Sequence, residues 1–409
     1  MSASYPRDWH ETTIGDVFDR MSKSIDVDPK STYQEIGIRS HGKGIFAKKP
    51  VSGVSLGEKR VFAVEPECLI LNIVFAWEQA VAKTTSSEVG KVVSHRFPMY
   101  RPKPGRVDVN YALYFFKSKW GKNLLEIASP GGAGRNKTLN QSNFADLPIV
   151  LPPLAEQRRI VAVLDAWDRA IDQTERLIAA KRQRKTAIVS RALTVDGAKR
   201  GFIRDFADVN PRNRRVSNET MVSFVAMQDV SANGELISTA DRLRGELGNG
   251  YTQFADGDVL VAKITPCFEN GKGALAAGLT NATGFGTTEF HVVRPHDPAD
   301  ADYLHQITMT RGFRISGERH MTGSAGQRRV PAEFIEDFPV FMMGKKARQE
   351  AGRLLACLDK ELSALEKAQL SLGAQKRGLM HRLMAGVWQL DDRFDPVSEP
   401  QAALPGAPA

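Results

Sequence analysis

The chain has 409 residues, 42% hydrophobic and 25% charged, a globular balance that excludes a disordered or fibrous chain and leaves room for more than one core. Lysine and arginine number 56 against 47 aspartates and glutamates, a net charge of +9, which suits a polyanionic partner such as DNA without requiring one. Cys68, Cys267 and Cys357 form no CxxC pair, the N-terminus is polar, and the most apolar run, Leu69 to Trp77, is short; this argues against a disulfide framework, a zinc site, a signal peptide or a membrane span, and for a cytoplasmic chain.

In chain order, residues 1–150 read as short strands between glycine-rich turns, with an apolar run from Glu67 to Phe75 and a short helix over Tyr111 to Trp120. Residues 151–197 read as one long helix. It opens on Leu151-Pro152-Pro153-Leu154-Ala155-Glu156-Gln157, and no proline or glycine follows until Gly197. Ile160, Leu164, Trp167, Ile171, Thr174 and Ile178 recur four and three apart, the pattern of a coiled-coil seam. Residues 198–342 repeat the strand-and-turn pattern, with an apolar run from Gly257 to Ile264 and a helix over Asp302 to Arg311. Residues 343–388 give a second helix with Leu355, Leu358, Leu362, Leu365, Gln369, Leu372, Leu379 and Leu383 on one stripe. Residues 389–409 read as a disordered tail.

The halves match at an offset of about 191 residues. Tyr111 answers Tyr303, Gly121 answers Gly312, Phe144 and Pro148 answer Phe334 and Pro339, and the glycine-rich stretch at 132–137 falls opposite 324–329. The fold class expected is therefore α+β, with two tandem globules separated by long helices that pair as an antiparallel coiled coil under pseudo-two-fold symmetry. Ile160, Leu164, Trp167, Ile171, Ile178, Leu355, Leu358, Leu362, Leu365 and Leu372 are the expected pairing residues. A helix of about 39 residues would run about 58 Å, longer than either globule needs.

A search for chemistry finds little. No Gly-Lys pair is followed by serine or threonine, so a Walker loop is absent, and Asn210-Pro211-Arg212 lacks the second proline and aromatic ring of an amino-methyltransferase loop. Asp256, Asp258, Lys263 and Glu269 are close in sequence, yet Asp258 and Lys263 have opposite strand parity, against a metal nuclease. Basic and polar groups on the repeated glycine-rich loops remain: Arg135, Asn136 and Lys137 in one copy, Gln327, Arg328 and Arg329 in the other. Arg39, His41 and Lys43, and Lys263, Asn270 and Lys272, are secondary candidates. Glu78 and Glu269, equivalent by repeat, suit acceptance from a cytosine amino group or a structural ion pair. Such residues neutralise phosphates and read base edges.

A strand-rich globule followed by this Leu-Pro-Pro-Leu-x-Glu-Gln helix, then both again, resembles the specificity subunit of type I restriction–modification systems. Tyr251 through Phe254 leading into Gly257-Asp258-Val259-Leu260, and Gly323-Ser324-Ala325-Gly326-Gln327, carry the resemblance further. The second copy departs from it at Val340 to Gly344, with no proline pair and no Glu-Gln, which leaves its helix start open. The resemblance implies a non-catalytic adapter: two target-recognition domains read the halves of a bipartite duplex-DNA site, and the helices act as spacers. Two methyltransferase subunits and ATP-dependent restriction subunits would dock on it. S-adenosylmethionine, ATP and magnesium would be bound by those partners, no cofactor or metal by this chain. The alternatives are the recognition subunit of a related system with a fused methyltransferase–nuclease partner, and a coiled-coil scaffold without a DNA role.

Overall fold

The computed structural model describes residues 5–131, 137–193 (side chains to 190), 200–324, 326–341 and 343–396. It divides into two compact units, Met1–Gln173 with Gln369–Ala409, and Thr174–Ala368. The long helices run Leu154–Leu193 and Lys345–Met384, so each helix gives one half to each unit rather than standing apart from the globules.

The first unit is built on a four-stranded antiparallel sheet in the order Val81–Lys83, Leu69–Leu71, Met99–Pro102, Phe18–Met21. Its central strand is apolar throughout because both faces are covered. Leu69 and Leu71 join a core with Tyr111, Phe116 and Phe144, while Ile70 points into another with Ile36, Val64 and Val93. The strand ends at Leu71, short of the expected run, because the Asn72 carboxamide accepts from Val74 N at 3.1 Å and turns the chain.

The second unit repeats this frame. Gly273–Leu275, Val259–Ala262, Phe290–Pro295 and Ala207–Val209 stand in the corresponding order with the same antiparallel pairings. Val259 and Val261 face the core with Tyr303 and Phe313, and Leu260 faces the one with Val225 and Phe254. In each unit the strand before the long helix pairs with an N-terminal strand, His10–Thr13 with Pro148–Leu151 and Arg200–Phe202 with Pro339–Phe341. Two short helices follow the sheet in both, Val109–Lys117 with Lys119–Ile127 and Ala301–Thr308 with Arg311–His320.

The second sheets differ. The first unit has three strands, Val92–Ser94, Val61–Ala63 and Ser24–Ile25, flanked by two hairpins. The second unit has four, Ala240–Leu243, Met221–Val225, Thr283–Gly286 and Thr252–Ala255, with the middle pair parallel. The repeat thus holds for the frame and fails for the sheet laid over it.

Gly121 and Gly312, matched in the sequence, take different places in the structure: Gly121 stands third after the cap Ser118, where the second unit has Phe313 after Thr310. A Cβ on Gly121 would overlap the Phe115 carbonyl and Phe116 Cα, where Ser118 caps the turn between the short helices, whereas one on Gly312 would meet nothing within 4 Å. Gly121→Ala should lower the free energy of urea unfolding by about 1–3 kcal/mol or more. Gly312→Ala should be neutral or gain up to about 1 kcal/mol from helix propensity.

The tail departs from expectation over 389–396. Leu390 packs against the first core, its carbonyl accepts from Arg159 Nη1 at 3.1 Å, and Asp395 pairs with Arg159 at 2.5 Å. An arginine on the helix gives this segment a fixed partner that composition does not reveal.

Candidate functional site

The start of each long helix is locked to its globule. Gln157 is wholly buried; its carbonyl oxygen accepts from Asp108 N and its amide donates to Pro152 O, both at 2.9 Å. Glu156 is buried too, accepting from the Trp9 indole at 3.1 Å, and burial pushes its carboxyl above the usual range. In the second unit Arg348 stands where Gln157 does and makes a two-bond pair with Asp300, at 3.0 and 2.5 Å, under the Phe206 ring. The missing Glu-Gln is replaced by an ion pair, and the helix starts at Lys345.

A second joint also recurs. In the first unit Asp168 pairs with Lys376, and the Tyr114 hydroxyl lies 2.5 Å from an Asp165 oxygen and 2.7 Å from an Asp168 oxygen, its one proton shared between the two carboxylates. In the second, Asp359 pairs with Lys185, and Gln306 Nε2 donates to Asp359 at 2.7 Å. Asp168 and Asp359, Lys376 and Lys185, and Tyr114 and Gln306 are equivalent in the repeat. Lys181 and Arg182 pair with Glu361 and Glu366 at 2.5 and 2.7 Å. Within each unit the two helix halves lie antiparallel.

The apolar stripe divides its duties. Ile160 and Leu164 lie in the first globular core in the company of Leu383 and Met384 of the second long helix, so the first turns of the helix pack on the globule as well as on the other helix half. Ile178, Leu355, Leu358 and Leu362 are buried, while Trp167, Ile171, Leu365 and Leu372 are half-buried.

Three loops meet in the first unit. His41 N and Gly42 N donate to Glu78 O and Gln79 O at 2.7 and 2.8 Å, Ser40 Oγ donates to Glu78 Oε2 at 2.8 Å, and Leu139 N donates to Ile73 O at 2.9 Å. The exposed Arg39 lies over Phe46 and Lys137 over Trp77, at 4.8 and 5.4 Å. Arg39, His41, Lys43 and Lys137 have no carboxylate partner among the described residues, so this corner is basic. Arg135 and Asn136 lie outside the described residues. Glu78 is engaged by the serine and the loop backbone. Beneath the loop Lys117 packs its alkyl chain on Gly42, leaving no room for a Cβ there. Gln79 Nε2 donates to Phe116 O and Ser118 O at 2.9 and 3.2 Å, tying the turn to the short helices.

The corresponding corner of the second unit is neutralised from within. Arg329 makes a two-bond pair with Glu289, both at 2.9 Å, and holds that carboxyl below the usual range. Arg328 faces Glu269 at 3.6 Å, and Glu269 also accepts from Thr265 at 2.6 Å. Lys272 donates to Met227 O at 2.8 Å, across the turn from the others. Lys263 lies near Glu289 and His291. Asn270 is exposed on the turn, and Gln327 serves through its backbone carbonyl, which accepts from Arg329. The turn is clamped by Arg314, which donates to Phe268 O and Gly271 O at 3.3 and 3.2 Å and lies on the Phe268 ring; burial pushes its pKa down to about 10. Asp258 makes a two-bond pair with Arg294, at 2.7 and 2.6 Å, and among the described residues no group of three or more metal-ligating side chains converges. Among them, too, no helix is long and apolar enough to cross a membrane.

Comparison with known proteins places this architecture. The family model for the type I restriction modification DNA specificity domain matches residues 6–181. That match covers less than half of the chain. The EcoEI specificity subunit of Escherichia coli is 32% identical over 234 residues, 53% of this chain and 39% of that one. The EcoAI specificity subunit of Escherichia coli is 43% identical over 136 residues, 33% of this chain and 23% of its own length. The matches thus span about two fifths or less of these relatives. In fold, the chain is similar to the solved type I S subunit from M. genitalium, with a TM-score of 0.58 at 12% identity over 94% of this chain and 97% of that one. A chain from a solved type I assembly gives 0.51 at 16% identity, over 93% and 98%.

Lys117, Trp77, Thr265 and Glu289 join these corners without having been singled out in the sequence. Trp77 was visible beside Glu78. Glu289 carried no local signal, because its role comes from a strand end brought against Arg329 by the fold.

Proposed function

We propose that this chain is the DNA-sequence-specificity subunit of a type I restriction–modification complex, acting in the cytoplasm without catalysis of its own. Each unit reads one half of a bipartite duplex target. The paired helices set the spacing and dock two methyltransferase subunits, with restriction subunits joining that assembly. S-adenosylmethionine, ATP and magnesium belong to those partners. The observation that carries this reading is the double use of one frame: the same sheet order and the same aspartate–lysine joint occur in both units, and the first unit matches a DNA specificity domain. The two second sheets differ, as expected of modules that read different bases.

The test is reconstitution with a type I methyltransferase subunit from the same source. The complex should methylate adenine in one bipartite sequence. Its affinity should fall by about 10³–10⁵ between 50 and 200 mM salt if six to ten phosphates are neutralised. The isolated chain should transfer no methyl group. Methylation by the pure chain, or salt-insensitive binding by the complex, would overturn the reading.

A further inference from the structure

We infer that the second unit holds DNA phosphates with the segment Asn210 to Arg215 at the edge of its four-stranded sheet, and not with the 323–329 hairpin; the inference rests on the DNA-specificity reading above. The hairpin's cations are already spent inside the protein. Arg329 is taken by Glu289, and Arg328 faces Glu269. Moving either to a phosphate would leave a partly buried carboxylate without its partner, which opposes the exchange.

The segment at 210–215 is the reverse case. Arg212, Arg214 and Arg215 are exposed, and none has a carboxylate partner among the described residues. The backbone beneath them is nevertheless fixed. Asn210 N donates to Val292 O at 2.7 Å, and its side chain bonds Val292 N and the His291 ring at 3.1 and 3.0 Å. Asn213 donates to Gln253 O and accepts from Arg294, both at 2.9 Å, while Gln253 Nε2 donates to Arg214 O at 3.1 Å. Six hydrogen bonds thus hold three unpaired guanidinium groups along the strand Thr252–Ala255, an arrangement that loses little entropy on meeting a phosphate row.

The adjoining sheet face suits the same ligand. Tyr251, 42% exposed, stands edge-on to Phe224 at 5.0 Å. Phe224 is paired with Phe285, over which Arg244 lies at 4.8 Å, and the exposed Arg242 lacks a carboxylate partner among the described residues. The corresponding stretch of the first unit, Met21 to Ile25, carries a single cation, Lys23, which faces Glu65 at 4.0 Å. There the free cations sit on the loops around His41 instead. The two units therefore hold DNA through different parts of one frame.

The experiment uses the complex reconstituted with the methyltransferase and compares the wild type with a triple variant, Arg212→Gln, Arg214→Gln and Arg215→Gln, and with Arg329→Gln. The triple variant should bind every DNA sequence more weakly by the same factor, with half-site preference unchanged. The magnitude of its log–log salt slope should fall by about 0.9 for each arginine that meets a phosphate. Arg329→Gln should lower thermal stability and leave the slope in place. A triple variant with the full slope and affinity overturns the inference while the DNA reading stands. Loss of methyltransferase assembly with the slope intact, read by size-exclusion chromatography, also overturns it and makes this face a protein contact. A wild-type complex with no salt-sensitive binding removes the DNA reading itself, and the inference with it.

Discussion

Replacing Arg348 by alanine should destabilise the second unit by about 3–5 kcal/mol. Arg348 and Asp300 have side chains 11% and 1% exposed, and they meet through two bonds of 3.0 and 2.5 Å. Removing the guanidinium leaves the Asp300 carboxylate buried without its hydrogen-bonded cation and also strips the cationic cover from the Phe206 ring. Chemical unfolding followed by tryptophan-independent circular dichroism, with hydrogen exchange over residues 297–310, would measure the loss and locate it. The double replacement Arg348→Met with Asp300→Leu should recover much of the stability, because both desolvation penalties then vanish together. A single variant as stable as the wild type would show that the pair does not hold this joint.

Phe313→Ala should cost a similar amount, about 3–5 kcal/mol, through a different mechanism. Phe313 is 0% exposed and sits among Phe268, Phe334 and Phe338 at ring-centre distances of 5.9, 5.2 and 4.9 Å. Deleting its ring opens a cavity that three rigid aromatic neighbours cannot close. Phe268 and Arg314, which clamp the turn carrying Glu269 and Asn270, lose support in the same step. A urea midpoint shift of the predicted size, with faster exchange of the amides at 265–272, is the expected result. Unchanged exchange in that turn would mean that it is held by its own hydrogen bonds instead.

The joints show why part of the site escaped a reading of the sequence. Gln157 was conspicuous as part of an unusual Pro-Pro-Leu-x-Glu-Gln string, but its equivalent, Arg348, sits in an unremarkable basic stretch, Lys345 to Arg348. Nothing nearby in sequence names Asp300, 48 positions away, as its partner. The basic corners teach the same lesson in the opposite direction. Arg329 and Lys137 occupy matching loops, yet one is held by a carboxylate and the other lies over an indole. Their spacing in the chain is alike; their electrostatic surroundings are not.

The sequence by itself determined the duplication, the two long helices, the continuous apolar strands at Leu69–Leu71 and Val259–Ala262, and the resemblance to specificity subunits. The helices and strands follow from periodicity and spacing, which local geometry turns directly into secondary structure, while the resemblance rests on the Leu-Pro-Pro-Leu-x-Glu-Gln string and its neighbours. Only the tertiary structure decided that each long helix is divided between two units, that Ile160 and Leu164 serve a globular core, and which arginines remain free. A hydrophobic stripe states that a face must be buried without naming what covers it. A charge likewise acquires its partner only when distant segments meet.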